Sequence, residues 1–166
     1  MANFSYEKRD LFSMPHGYCL AHCISSDFAL GAGIAVEFDK RYNMRERLNK
    51  LVNSAFSTET GLEGETIQID NVFNLITKRN GYEKPTYEKL EEALYSMKTL
   101  IVDNKIKYVA MPKIGAGLDR LKWEIVLAII KNVFKDVDVN ITICFLDDDA
   151  DFDKCEYVKP LCDLLD

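Results

Sequence analysis

The sequence predicts an α/β protein with a layered sheet covered by helices on both faces. Three observations carry that prediction. Short apolar runs of strand length alternate with longer runs whose apolar residues recur at helical spacing. Two glycine-hinged loops, Leu30-Gly31-Ala32-Gly33-Ile34-Ala35 and Pro112-Lys113-Ile114-Gly115-Ala116-Gly117-Leu118-Asp119, each follow a strand-like run and lead into a helical one. A chain of 166 residues, 48% of them hydrophobic, is long enough for one domain with a real core.

In chain order, a short strand covers about Phe4 to Lys8, and Gly17 to Ile24 is apolar enough for a buried one. Ile34 to Tyr42 and Met44 to Asn53 read as helices with a bend near Asn43. Phe56 to Glu65 is rich in Ser, Thr and Gly and reads as a loop. Thr66 to Ile69 and Val72 to Thr77 read as strands around an Asp70-Asn71 turn. Pro85-Thr86 opens the clearest helix. Thr86 is its expected N-cap, and Glu88 and Glu91 lie near its positive end. Tyr87, Leu90, Leu94, Met97 and Ile101 form its apolar face. Tyr108 to Met111 is a strand ended by Pro112. Trp123, Val126, Leu127, Ile130, Val133 and Phe134 mark a second amphipathic helix, and Asn140 to Leu146 closes as a buried strand. The acidic run Asp147 to Asp151, with Asp153, reads as solvated surface, and Tyr157 to Leu165 as a short closing helix.

No internal repeat, low-complexity stretch or linker divides the chain. Residues 1–10 are polar and charged, without an apolar h-region, and no stretch is long enough to span a bilayer. The five cysteines, Cys19, Cys23, Cys144, Cys155 and Cys162, lack a disulfide-framework spacing. Three of them sit in apolar runs, as reduced thiols do, so a cytoplasmic setting is expected. The net charge of −6 argues against a protein that tracks along a nucleic-acid backbone. It leaves room for one small anion held by backbone N–H groups.

The glycine pairs let the backbone turn its N–H groups outward with no side chain in the way. Ligands of open α/β sheets sit beyond the strand ends, where such loops gather. Two loops at one sheet edge could grip a diphosphate between them, which points to a nucleotide-like ligand. Neither loop matches G-x-G-x-x-G, since Val36 stands at the third glycine position, and neither is a P-loop. Asp10 is either a turn or cap residue or an acceptor for an exocyclic amine such as the adenine N6. Lys78 ends a buried run. It is either the first solvated residue or a nucleophile, which would need desolvation or nearby positive charge to free its amine. Arg79 is a candidate source of that charge. Asp119 is a helix N-cap, a general acid/base, or both. His16, Cys19, His22 and Cys23 form the one cluster of metal-type residues. No second cluster completes a zinc site, so core thiols and a buried or loop histidine are expected, and no metal.

Several stretches then resemble macrodomains: Arg9-Asp10-Leu11-Phe12, Leu20-Ala21-His22-Cys23-Ile24-Ser25, Gly31-Ala32-Gly33-Ile34-Ala35-Val36, Leu75-Ile76-Thr77-Lys78, Lys84-Pro85-Thr86-Tyr87, and Met111 through Leu121 with Trp123-Glu124. Leu75-Ile76-Thr77-Lys78 and the last of these are similar to the subclass of the terminal ADP-ribose protein glycohydrolases. The likeness runs from about Tyr6 to Leu146, so 1–146 is read as the macrodomain and 147–166 as an acidic extension. It implies a three-layer α/β/α fold around a mixed sheet, with ADP-ribose beyond the strand ends. It implies that Asp10 accepts from the adenine amine, that Leu11 lies near the base, and that Ser25 lies near the distal ribose. Gly31, Ala32, Gly33, Ile34 and Ala35 would wrap that ribose and one phosphate. Ile114, Gly115, Ala116, Gly117 and Leu118 would hold the diphosphate, with Thr77 and Pro112 also in the binding set. Lys78 would match the nucleophile and Asp119 the acid/base.

The implied reaction removes ADP-ribose from glutamate or aspartate side chains of proteins, and from O-acyl-ADP-ribose, through a lysyl intermediate without a cofactor. The sequence departs from the family at Arg9, where a glycine is usual, and from Ser54 to Ile69. Two other readings compete. One is a reader that binds ADP-ribose without turnover. The other is a hydrolase acting on ADP-ribosylated nucleic-acid bases, with Lys40, Arg41, Arg45 and Arg47 as a local basic patch. The expected state is a monomer without membrane attachment.

Overall fold

The computed structural model describes residues 1–55 and 61–146. The expected acidic run and closing helix, Cys155 and Cys162, and the first half of the 56–65 loop lie outside the described residues. Among the described residues six strands and four α-helices follow in order: β1 (Asn3–Lys8), β2 (Cys19–Ser25), α1 (Ile34–Tyr42), α2 (Met44–Ala55), β3 (Thr66–Ile69), β4 (Val72–Lys78), α3 (Tyr87–Asp103), β5 (Tyr108–Met111), α4 (Trp123–Val133) and β6 (Asn140–Phe145). A 3-10 turn, Leu11–Ser13, follows β1.

The strands form one sheet in the order β1-β6-β5-β2-β4-β3. Every neighbouring pair is parallel except the β3–β4 hairpin. Parallel strands need long crossovers, and the helices supply them on both faces. Alternation along the strands divides the core in two. Ala21, Phe73, Leu75, Val109 and Ile141 face Leu90, Leu94 and Met97 of α3 and Val126 and Ile130 of α4. Their neighbours Leu20, Ile24, Val72, Ile76 and Ala110 face Phe38 of α1 and Met44 and Leu48 of α2. Each fully buried Leu or Ile in these layers contributes about 1.5–3 kcal/mol. The result is the expected three-layer α/β/α arrangement around a mixed sheet.

Local chemistry sets the element ends. Asn43 adopts the left-handed conformation at φ 53° and separates α1 from α2. Asp70 at φ 51° turns the β3–β4 hairpin, braced by a two-pronged ion pair from Arg47 at 2.8 Å on each oxygen. Thr86 caps α3, its Oγ1 accepting from the Lys89 N–H at 3.1 Å. The cap of α4 is Lys122, whose N–H donates to Tyr87 Oη at 3.1 Å. The N-cap reading of Asp119 is therefore corrected: the chain runs three further residues before the helix begins.

The histidine–cysteine cluster resolves into core chemistry. His22 is fully buried and stacked on Phe38 with ring centroids 3.9 Å apart. Asn74 donates its amide to Ile67 O, so its Oδ1 accepts from His22 Nε2 at 2.6 Å. Burial lowers the imidazole from 6.5 to about 4. Cys19, Cys23 and Cys144 are free thiols, each pushed up by burial, Cys144 to about 11. Among the described residues no group of His, Cys, Asp or Glu is arranged to hold a metal ion, and no helix is long and apolar enough to cross a membrane.

Candidate active site

The ends of β1, β2, β4, β5 and β6 open into one cleft of about 1330 Å³. The glycine loops form two of its walls, and their backbones carry the geometry that the glycines permit. Gly33 caps α1 at φ 62° and ψ −148°, a region essentially closed to other residues. Gly115 sits at φ 73°, and a Cβ there would stand 3.0 Å from Leu121 Cδ1. Its carbonyl accepts from the Leu121 N–H at 2.7 Å, which folds the second loop back on itself. The N–H groups of Gly31, Ala32, Gly33, Ile34 and Ala35 have no acceptor among the described residues. The same holds for Gly115, Gly117, Leu118 and Asp119. Polar donors left open at a helix start and in a turn form an anion cradle.

Lys78 and Asp119 meet between these walls. Lys78 Nζ lies 2.7 Å from Asp119 Oδ1, and the side chains keep only 14% and 17% of their exposure. A pairing irregularity makes this reach possible. β2 and β4 run in register from Leu20 opposite Val72 to Ile24 opposite Ile76, but Ser25 then pairs with Lys78. The skip at Thr77 is a bulge, and it breaks the two-residue alternation that would send Lys78 after Ile76 into the core. Asp119 is set by the turn that follows it. Arg120 is left-handed at φ 61°, and its N–H donates to Gly117 O at 3.1 Å.

The other expected residues fall as follows. Asp10, Leu11, Ser25, Gly31 to Ala35, Pro112 and Ile114 to Leu118 all line the cleft with Lys78 and Asp119. Asp10 also caps the 3-10 turn, its Oδ1 accepting from the Phe12 N–H at 3.0 Å, so one carboxylate oxygen is spent locally. Thr77 does not line the cleft. It is 2% exposed at the bulge, beside the Cys23 thiol. The group against the Lys78 amine is the Asp119 carboxylate. Arg79 contributes its backbone carbonyl, which accepts from Ser26 Oγ and the Asp27 N–H. Of the supposed basic patch, Lys40 and Arg41 pair with Glu37, and Arg47 with Asp70.

Sequence reasoning missed a cation–aromatic group beside Asp10: the Arg41 guanidinium lies 4.4 Å over the Phe12 ring, which meets Phe38 edge-on at 4.8 Å. Phe145 and Leu146, at the end of β6, line the same cleft. It also missed Tyr82, 88% exposed at the mouth and close in sequence to Lys78. An aromatic residue at a strand end was the available signal for Phe145. Nothing in the local pattern marked the others.

The Macro domain family model matches residues 16–130. The ADP-ribose glycohydrolase OARD1 of Homo sapiens is 42% identical over 143 residues, which cover 86% of this chain and 91% of that protein. Among solved structures, the macrodomain of Mycobacterium tuberculosis DarG superposes with a TM-score of 0.76 at 23% identity, over 87% of this chain and 98% of that one. Thermosipho africanus DarTG in complex with ADP-ribose gives 0.71 at 18% identity, over 86% of this chain and 41% of that one. These two likenesses are likenesses of fold.

Proposed function

The chain belongs to the Macro domain family, and from that premise we propose that it is an ADP-ribosyl hydrolase that frees terminal ADP-ribose from glutamate and aspartate esters on proteins. The same chemistry extends to O-acyl-ADP-ribose. The observation that carries this reading is the 2.7 Å pairing of Lys78 Nζ with Asp119 Oδ1, set between two loops of open N–H donors. The 42% identity with a human ADP-ribose glycohydrolase supports an enzyme over a reader.

The loops hold the diphosphate, with charge-assisted hydrogen bonds of about 1.5–3 kcal/mol each. The tether brings the anomeric carbon of the distal ribose to Lys78. Asp119 takes a proton from the Lys78 ammonium and so leaves a neutral amine facing that carbon. The freed amine attacks, a C–N bond forms, and the C–O bond to the acyl group breaks. The protein side chain departs as a carboxylate, a leaving group that needs no further activation. Water then adds to the lysyl-bound carbon, the C–N bond breaks, one proton of that water passes to solvent, and the amine recovers its own proton from Asp119. ADP-ribose is released.

Lys40 and Arg41 share Glu37, Arg47 pairs with Asp70, and the chain carries a net charge of −6, which supports a protein substrate over a nucleic acid. The deciding experiment compares release of ADP-ribose from a glutamate-linked peptide and from an ADP-ribosylated oligonucleotide. Release from the peptide is expected. Tight binding without release from either substrate would overturn the enzyme, and release from the oligonucleotide alone would overturn the protein substrate.

A further inference from the structure

Asp27 appears in no sequence motif singled out above, yet it joins the three segments around the nucleophile. Its Oδ1 accepts from Ser25 Oγ, at the end of β2, and from the Ala29 N–H at 3.1 Å, at the start of the first glycine loop. Its Oδ2 accepts from the Gly81 N–H at 3.0 Å, three residues beyond Lys78. The backbone repeats the connection. The Ser26 N–H donates to Lys78 O at 2.9 Å and the Asp27 N–H to Arg79 O at 3.2 Å. These contacts begin just past the Thr77 bulge, where Ser25 pairs with Lys78, so they carry the pairing of the two segments on beyond the nucleophile.

We propose that Asp27 is a positioning residue for Lys78: its carboxylate latches the chain after the nucleophile to the first glycine loop and keeps the amine registered with Asp119. The proposal rests on the hydrolase reading. A carboxylate suits the task because all three of its partners are donors, and it alone offers acceptors on both oxygens. The hydrogen bonds also hold this carboxyl below its usual range. Asp27 itself lines the cleft, but its carboxylate oxygens are engaged by Ser25, Ala29 and Gly81. The predicted consequence is therefore slower chemistry, with little change in the grip on the diphosphate.

Two variants isolate the latch. Asp27→Asn keeps the shape and the acceptor for Ala29 and Ser25 but turns an NH₂ toward the Gly81 N–H, donor against donor. Asp27→Ser keeps a local acceptor for Ala29 but is too short to reach Gly81. Hydrogen exchange of residues 79–83 in the ligand-free protein is expected to quicken about tenfold in both variants. With the glutamate-linked peptide, kcat is expected to fall by roughly ten- to a hundredfold while the dissociation constant for ADP-ribose stays within about threefold. Unchanged exchange in residues 79–83 overturns the latch, as does wild-type kcat in either variant. A fall in kcat matched by an equal loss of ADP-ribose affinity overturns the positioning role, because a general collapse of the cleft would do that. A wild-type protein that releases no ADP-ribose defeats the hydrolase reading instead, and the exchange measurement then decides the latch by itself.

Discussion

Replacing Gly33 by alanine is predicted to cost both stability and ligand affinity, by amounts the structure sets. At φ 62° and ψ −148° the position is closed to residues with a Cβ, a strain of about 1–3 kcal/mol. The added Cβ would also lie 3.3 Å from Leu118 Cδ1, but Leu118 is 72% exposed and can rotate away, so backbone strain decides the outcome. A loss of about 2 kcal/mol in a chain of this size lowers Tm by roughly 4–8 °C. If the backbone relaxes instead, the N–H groups of Gly33 and Ile34 turn off the cleft. Losing one charge-assisted bond of about 1.5–3 kcal/mol weakens ADP-ribose binding by roughly ten- to a hundredfold. Gly117→Ala is the stability control: its φ is not positive and an added Cβ meets nothing within 4 Å, so its stability should stay within about 0.5 kcal/mol of wild type. Thermal melting and titration calorimetry read both quantities. A Gly33→Ala protein that melts and binds like wild type would refute the role given to this loop.

Asp119→Asn should lower turnover by roughly 10²–10⁴-fold while ADP-ribose still binds, because it removes the proton acceptor beside Lys78 and keeps its shape; full turnover would end the acid/base assignment. His22 makes stability depend on pH. The unfolded chain takes up a proton near 6.5 and the folded chain only near 4, so the unfolded state binds more protons between those values. The stabilisation is whole above pH 6.5 and falls by about 3 kcal/mol as pH drops toward 4. Urea unfolding at roughly pH 7 and pH 4.5 should show a steeper loss in wild type than in His22→Gln, and equal slopes would contradict the account. Thr86→Ala removes the α3 cap and should cost about 1 kcal/mol in the same unfolding assay without altering kcat; an unchanged midpoint would show the cap to be idle.

Much of this fold was legible because its signals are local. The apolar spacing from Tyr87 to Ile101 and the threonine before it define α3 without reference to the rest of the chain. The Asp70-Asn71 turn and the glycine loops likewise carry their conformations in their own residues. Those loops, with Lys78 and Asp119, line one cleft. What escaped was long-range. The bulge at Thr77 is a property of two paired strands some fifty residues apart, and the pattern of β4 alone places Thr77 and Lys78 as ordinary successive strand residues. Asp119 looked like a helix cap because acids favour helix starts, yet its partner stands 41 residues earlier. Asp27 looked like any loop aspartate, since its donors come from residues 25, 29 and 81.

The central claim is that the Lys78 amine bonds to the distal ribose, and the mass of the intact protein after incubation with ADP-ribose tests it most directly. Wild type should gain a covalent ADP-ribose adduct that Lys78→Ala fails to form while still binding the ligand. An adduct of equal yield in Lys78→Ala would contradict the account.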